Sequence, residues 1–139
     1  MTEEDRRTRT AAIYGLIAIE LTIAILGIAS GASLLSDPSG KGMGLDVVKD
    51  KIPFQNLALL GLWFVGPYGL LPAALAFGFW TGKPWAWRPA LILAVVELIW
   101  VLVQIPLVVS SVLQLVIGAI ALATLYLLYR PTVRRYLGL

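Results

Sequence analysis

Apolar residues dominate four segments of the chain, and polar residues gather between them. The segments lie at about residues 11–34, 56–81, 89–106 and 107–129. An α-helix needs roughly 20 apolar residues to cross the hydrocarbon core of a bilayer, so each segment has about the length of one transmembrane helix. The pattern predicts an all-α, polytopic membrane protein in which four transmembrane helices form a bundle, with a single membrane domain over residues 1–139.

The third and fourth segments follow each other almost without a loop. A single helix of their combined length would be too long for one bilayer. Pro106 cannot continue a helix because it lacks a backbone N–H and its ring clashes with the preceding turn. Ser110 and Ser111 are residues that commonly begin a helix. We therefore expect a tight hairpin here.

The charges between the segments predict the orientation. Basic residues occupy three of the connecting or terminal stretches: Arg6, Arg7, Arg9, Lys83, Arg88, Arg130, Arg134 and Arg135. In the remaining loop, residues 35–55, lysines are matched by aspartates. Because stretches rich in Lys and Arg stay on the cytoplasmic side, both termini are predicted to be cytoplasmic, in the cell membrane. Aromatic residues suited to an interfacial belt gather at that same predicted face: Trp80, Trp85, Trp87, Tyr126, Tyr129 and Tyr136.

The loop 35–55 is then the outer loop. Its first half is rich in Gly, Ser and Pro, which is typical of a flexible turn. Residues 45–52 alternate enough for one or two turns of amphipathic helix. Such a helix would either lie flat on the outer membrane surface or form a lid over an outward cavity.

Composition narrows the chemistry. The chain is 59% hydrophobic and 14% charged, whereas a soluble domain is about a quarter charged. It contains no cysteine and no histidine, which excludes disulfides, Cys/His metal sites and imidazole catalysis. We predict no catalytic residue, no metal and no cofactor. The net charge of +3 flanks apolar segments and forms no contiguous patch, so no nucleic-acid partner is expected.

Two carboxylates interrupt the apolar segments. Glu20 lies eleven residues after Arg9, and Glu97 lies nine residues after Arg88. At 1.5 Å per residue these separations are about 16 and 14 Å, close to the middle of the bilayer in both helices. Ionisable residues at this depth are costly and usually face a cavity or a partner. We expect the two carboxyl groups to face each other inside the bundle.

Other polar and small residues follow the same faces at helical spacing. With the two glutamates they form a predicted ligand-binding set: Glu20, Glu97, Trp100, Gln104, Gln114 and Tyr68. Small residues predict close helix packing at Gly27, Gly31 and Gly118. Residues 66–69 (Gly-Pro-Tyr-Gly) predict a kink in the second helix, because Pro67 removes one backbone hydrogen bond.

The ends of the second and fourth segments repeat at a constant spacing. Residues 74–76 match residues 121–123, and Lys83-Pro84 matches Arg130-Pro131. The first and third segments share the dipeptide Glu-Leu. The match suggests two copies of one helical hairpin, related by an axis along the membrane normal.

Two resemblances accompany these patterns. Four short helices with a carboxylate, Glu20, in the first resemble the small multidrug-resistance exporters, which exchange protons for lipophilic cations; the long first loop and Glu97 depart from that family. Residues 82–87 (Gly-Lys-Pro-Trp-Ala-Trp) and 128–136 (Leu-Tyr-Arg-Pro-Thr-Val-Arg-Arg-Tyr) resemble small uncharacterised prokaryotic four-helix membrane proteins. That second resemblance implies the helix layout and a prokaryotic origin, without an activity.

Three classes of function remain open. The protein would bind or transport a small lipophilic or cationic ligand, or a lipid, at a pocket lined by the glutamates. Alternatively, it is a structural or accessory membrane subunit in which buried Glu and Gln residues only hold helices together. The third class, an enzyme acting on lipid, would have to use the two glutamates alone. Membrane lipids are expected partners, and so are further copies of the chain or a membrane subunit, because a small bundle buries little on its own.

Overall fold

The computed structural model describes residues 9–46, 56–104 and 112–139, and every regular element among them is helical. Six α-helices follow in chain order: α1 (Ala11–Ser36), α2 (Ala58–Val65), α3 (Leu71–Trp80), α4 (Trp87–Gln104), α5 (Val112–Leu128) and α6 (Pro131–Tyr136). Short 3-10 turns lie at Lys41–Met43 and Pro84–Ala86. The all-helical prediction is confirmed for the described residues.

Three helical stretches are long and apolar enough to cross a membrane. They are Ala11–Ser36, Ala58–Trp80 and Pro84–Val103, with 26, 23 and 20 residues. The apolar stretch Gln114–Leu128 is shorter than these three. The protein therefore has the helices of a membrane protein, and their positions agree with the first three predicted segments. The predicted hairpin around Pro106 lies outside the described residues, and so does most of the predicted amphipathic stretch 45–52.

The outward surfaces of these helices are apolar. Large side chains on four of them are more than half exposed, among them Ile25, Leu59, Ile92 and Leu115. A soluble protein rarely leaves so many large apolar side chains uncovered, because each gains free energy on leaving water. Hydrocarbon is the solvent that fits this surface.

The second long stretch stays helical through its proline. Pro67 has no N–H to donate, and the chain accommodates it with a π-helical turn over Gly66–Leu70. The N–H of Leu71 donates to the oxygen of Gly66 across this wider turn. The turn therefore joins α2 to α3 and absorbs the missing bond where the sequence predicts a kink.

Contacts divide the chain into two compact units. The terminal unit comprises residues 1–19 and 75–139, and the middle unit comprises residues 20–74.

The middle unit packs helix against helix through glycine. A Cβ on Gly27 would overlap the backbone oxygen of Tyr68, and one on Gly31 would lie 2.7 Å from the oxygen of Gly61. A Cβ on Gly61 would in turn lie 3.0 Å from the oxygen of Gly31. Backbones can approach this closely only where side chains are absent.

The terminal unit packs through side chains. Its buried residues include Phe79 at the end of α3, Leu93 on α4 and Leu128 on α5. The indole nitrogen of Trp87 donates to the backbone oxygen of Leu128 at 3.0 Å, which fixes the start of α4 beside the end of α5. The rings of Trp87 and Tyr129 meet edge to face, with centroids 5.7 Å apart.

Candidate functional site: a buried carboxyl in an apolar helix pair

Glu97 lies on the buried face of α4. The other buried residues of that face are Ala90, Leu93 and Ala94, which precede Glu97 at helical spacing. Only 4% of Glu97 is exposed. The helix therefore directs a carboxyl group toward the inside of the terminal unit, on a face that is otherwise formed by small and aliphatic side chains.

The residues opposite Glu97 follow from the pairing of α4 with α5. The bond from Trp87 to Leu128 fixes one end of the pair. Further along, a Cβ on Gly118 would lie 3.6 Å from Cγ1 of Val101. Between these two contacts, the antiparallel register brings Glu97 to about the level of Ala121, which is buried. From this register, we infer that the carboxyl group faces a stretch of α5 with small side chains.

Thr124 is the nearest hydroxyl on that stretch of α5, about one turn from Ala121. It is buried, and its hydroxyl donates to the backbone oxygen of Ile120 in its own helix at 3.0 Å. No described residue donates a hydrogen bond to the Glu97 carboxyl or forms an ion pair with it. Burial without such a donor costs free energy, because nothing in the described helices replaces the hydrogen bonds that the carboxyl makes in water.

Glu20, in the middle unit, is the more deeply buried carboxyl, with 1% of the residue exposed. It takes part in a further interaction, although its Oε2 atom is buried without a hydrogen bond. Ala24, Gly27 and Gly31 follow it along the same buried stripe of α1. The two glutamates that the sequence singled out are therefore both buried.

The remaining residues of the predicted set lie at different places. Gln114 is 7% exposed and takes part in a polar interaction. It lies seven residues from Ala121 on α5, about 10 Å along the axis from the level of Glu97. Trp100 lies one turn from Glu97 and is 51% exposed, so its ring borders the surface of α4. Gln104 ends α4, and its side chain lies outside the described part.

Tyr68 belongs to the π-helical turn of the middle unit and is half-buried. Its ring lies 6.4 Å from that of Trp63 and 6.1 Å from that of Phe64, measured between centroids. It also takes part in a further interaction. The sequence pointed to Tyr68 through the neighbouring glycines and proline.

Sequence reasoning missed the residues that define the surroundings of Glu97. Ala121 and Thr124 carry no signal in an apolar helix, and only the register of α4 against α5 brings them to this level. In the described ranges, no group of three or more Asp, Glu, His or Cys side chains is arranged to hold a metal ion.

Compared with known proteins, the chain matches no family model, no curated protein and no solved structure. The resemblance of residues 82–87 and 128–136 to small prokaryotic membrane proteins stays a prediction. The function has to be inferred from the burial and hydrogen bonding of the chain's own residues.

Proposed function

We propose that the protein is an integral membrane protein that binds or transports a small lipophilic or cationic ligand, or a lipid, through an intramembrane carboxyl, Glu97. One observation carries the proposal: Glu97 is buried in an apolar helix pair without a donor among the described residues. A glutamate that only held helices together would need a hydrogen-bond partner across the interface. In a binding site, a ligand or a proton would instead supply the interaction that the Glu97 carboxyl lacks.

The chemistry of the site follows from its surroundings. An ionised carboxylate in an apolar environment attracts a cation strongly, because the low dielectric constant screens it poorly. The ring of Trp100, one turn away, offers a face on which an organic cation stacks favourably. A proton competes with the cation for the same carboxylate, so binding of the cation releases a proton and the site is suited to exchange.

The proposal includes Gln104 and Gln114, from the same pair of helices as Glu97, as further polar residues, whereas the predicted roles of Glu20 and Tyr68 stay predictions. It includes a bundle of four transmembrane helices with both termini in the cytoplasm, associated with further copies of the chain or with a membrane subunit. A cysteine introduced at Gly42 tests this orientation. If an impermeant reagent labels it in intact cells, the orientation is supported; if it is labelled only after lysis, the orientation is contradicted.

Binding of tetraphenylphosphonium, a lipophilic cation, tests the function. Purified protein in detergent is titrated with the probe between pH 5 and pH 9, and tryptophan fluorescence reports binding. We expect affinity to rise with pH, proton release on binding, and a loss of both in Glu97→Gln. Glu97→Asp keeps the charge and should retain weaker binding.

Glu20→Gln is the matched control, since it makes the same change in the middle unit. If Glu20→Gln abolishes binding and Glu97→Gln does not, the essential carboxyl is Glu20. If neither variant alters binding, or the wild type binds no probe at any pH, the proposal of a cation site fails.

The alternative is a structural or accessory subunit without a ligand. It is supported by the glycine packing of the middle unit and by the polar interactions of Glu20 and Gln114. It predicts that Glu97→Gln lowers stability and leaves function in the cell unchanged. The cation titration and the unfolding measurements in the Discussion separate the two.

A further inference from the structure

Four helix ends of the terminal unit are tied together at one level. Trp87 joins the start of α4 to the end of α5 through its bond to Leu128. The hydroxyl of Tyr136, on α6, donates to the backbone oxygen of Trp80 at the end of α3 at 3.2 Å. Arg9, just before α1, donates through Nε to the same oxygen at 3.1 Å. We name this level of the terminal unit the basic end.

All the basic side chains described in the terminal unit lie at the basic end: Arg9, Lys83, Arg88, Arg130, Arg134 and Arg135. The one carboxylate side chain described in that unit is Glu97, nine residues further along α4 from Arg88. At about 14 Å, it is too distant to neutralise them by contact. The basic end therefore presents positive charge without a neighbouring acidic side chain in the described part of the unit.

Some of these arginines are held by aromatic groups. The guanidinium of Arg9 stacks 3.9 Å from the ring centroid of Trp80, and hydrogen bonding to the Tyr136 hydroxyl raises the pKa of Arg9. Arg130 donates to the hydroxyl of Tyr126 at 2.8 Å. Tryptophan and tyrosine favour the boundary between hydrocarbon and water, so these contacts hold the arginines at headgroup level.

Helix α6 presents the remaining arginines outward. Val133 and Leu137 are buried beneath it, one turn apart, which fixes the helix against the unit. Arg134 and Arg135 are exposed on its other side. Three arginines thus fall within six residues of chain, and like charges so close repel each other unless an anion lies between them.

We propose that the basic end is a binding surface for the phosphate headgroups of anionic phospholipids, with Arg130, Arg134 and Arg135 as its main contacts. Charge complementarity fits a phosphate group, and the aromatic residues beside the arginines fit a phosphate that belongs to a bilayer. A polybasic segment beside a transmembrane helix attracts anionic lipid by several-fold for each Lys or Arg near the surface. The proposal does not depend on a ligand at Glu97.

Quenching of tryptophan fluorescence by brominated lipids tests the proposal, because Trp80, Trp85 and Trp87 all lie at the basic end. The protein is reconstituted in phosphatidylcholine vesicles that contain either brominated phosphatidylglycerol or brominated phosphatidylcholine. We expect the anionic lipid to bind several-fold more strongly. Arg134→Gln/Arg135→Gln should reduce this preference to near none, whereas Arg134→Lys/Arg135→Lys should retain most of it.

Lys41→Gln is the matched control. It removes a positive charge from the middle unit, beside Asp37, and should leave the preference unchanged. Raising the salt concentration from 50 mM to 500 mM should weaken the preference of the wild type for the anionic lipid. This measurement tests the proposal even if the double variant does not fold. Equal quenching by both lipids in the wild type, or an unchanged preference in the folded glutamine variant, overturns the proposal. The proposal is also overturned if the protein in detergent binds free inorganic phosphate as tightly as it binds the anionic lipid.

Discussion

The middle and terminal units bury their helices in different ways. In the middle unit, Gly27 and Gly31 let one backbone approach another so closely that no Cβ fits between them. In the terminal unit, large side chains such as Phe79 and Leu128 fill the space between helices. Backbone contact leaves no room for adjustment, whereas contact through side chains can accommodate an unusual group. Each unit nevertheless buries a carboxyl group, Glu20 in the middle unit and Glu97 in the terminal unit.

The two buried carboxyls follow the same division. Glu20, in the middle unit, takes part in an interaction with another group, and its Oε2 atom is buried without a hydrogen bond. Glu97, in the terminal unit, is buried without a hydrogen-bond donor among the described residues. This difference predicts that Glu20 contributes to stability and that Glu97 is the carboxyl of the proposed ligand site.

The largest effect is expected from Gly27→Ala. The new Cβ would overlap the backbone oxygen and carbon of Tyr68, which cannot move without displacing a helix. We expect the free energy of unfolding to fall by about 3 kcal/mol, measured by titration with sodium dodecyl sulfate in mixed micelles. Gly118→Ala is the control, because its Cβ would make an ordinary contact with Val101. Equal losses in both variants would contradict the distinction between the units.

Glu20→Leu should have the second largest effect. It removes a buried group that has a polar contact and leaves that contact unsatisfied. The expected loss is about 2 kcal/mol in the same unfolding titration. Glu20→Gln keeps hydrogen-bonding atoms of similar size and should lose less. If Glu20→Leu is as stable as the wild type, Glu20 is not structural.

Trp87→Phe tests the bond that fixes α4 beside α5. Phenylalanine fills most of the same space but cannot donate to the oxygen of Leu128, so we expect a loss of about 1 kcal/mol. Trp100→Phe makes the same change on the exposed side of the same helix and should cost less. Equal costs would indicate that the indole hydrogen bond contributes nothing to the pairing.

The smallest effect concerns the turn after α1. The hydroxyl and N–H of Ser39 donate to the carboxylate of Asp37 and lower its pKa from the ordinary value of 3.8. Such a depressed pKa stabilises the folded turn above pH 3.8, and this contribution disappears as the pH falls through the lowered pKa. Ser39→Ala should raise the pKa of Asp37, observed by an NMR pH titration. Ser36→Ala should leave it unchanged, because Ser36 bonds to Ala32 instead.

Hydrophobic length was sufficient to predict the helices. The runs that predicted the first three segments correspond to helices long enough to cross a membrane, since helix formation in hydrocarbon depends mainly on apolar length. The response to Pro67 was not predictable in detail. A missing N–H permits a kink or a wider turn, and the structure has a π-helical turn at Gly66–Leu70.

The site was predictable in part. Glutamates within apolar segments can be recognised from the sequence, and the structure shows that both Glu20 and Glu97 are buried. Their difference was not visible, because it depends on which residues lie opposite. The register of α4 against α5 places Ala121 near Glu97 and Gln114 farther along, and no sequence pattern specifies that register. The predicted duplication of the two helical hairpins stays a prediction.

The stability of Glu97→Leu tests the central claim most directly. If Glu97 is a binding carboxyl without a structural partner, leucine removes a buried polar group and breaks no hydrogen bond within the protein. The free energy of unfolding in mixed micelles should then rise by about 1–3 kcal/mol, while binding of tetraphenylphosphonium is lost. A fall in the free energy of unfolding would show that Glu97 stabilises the helix pair, and would contradict the account.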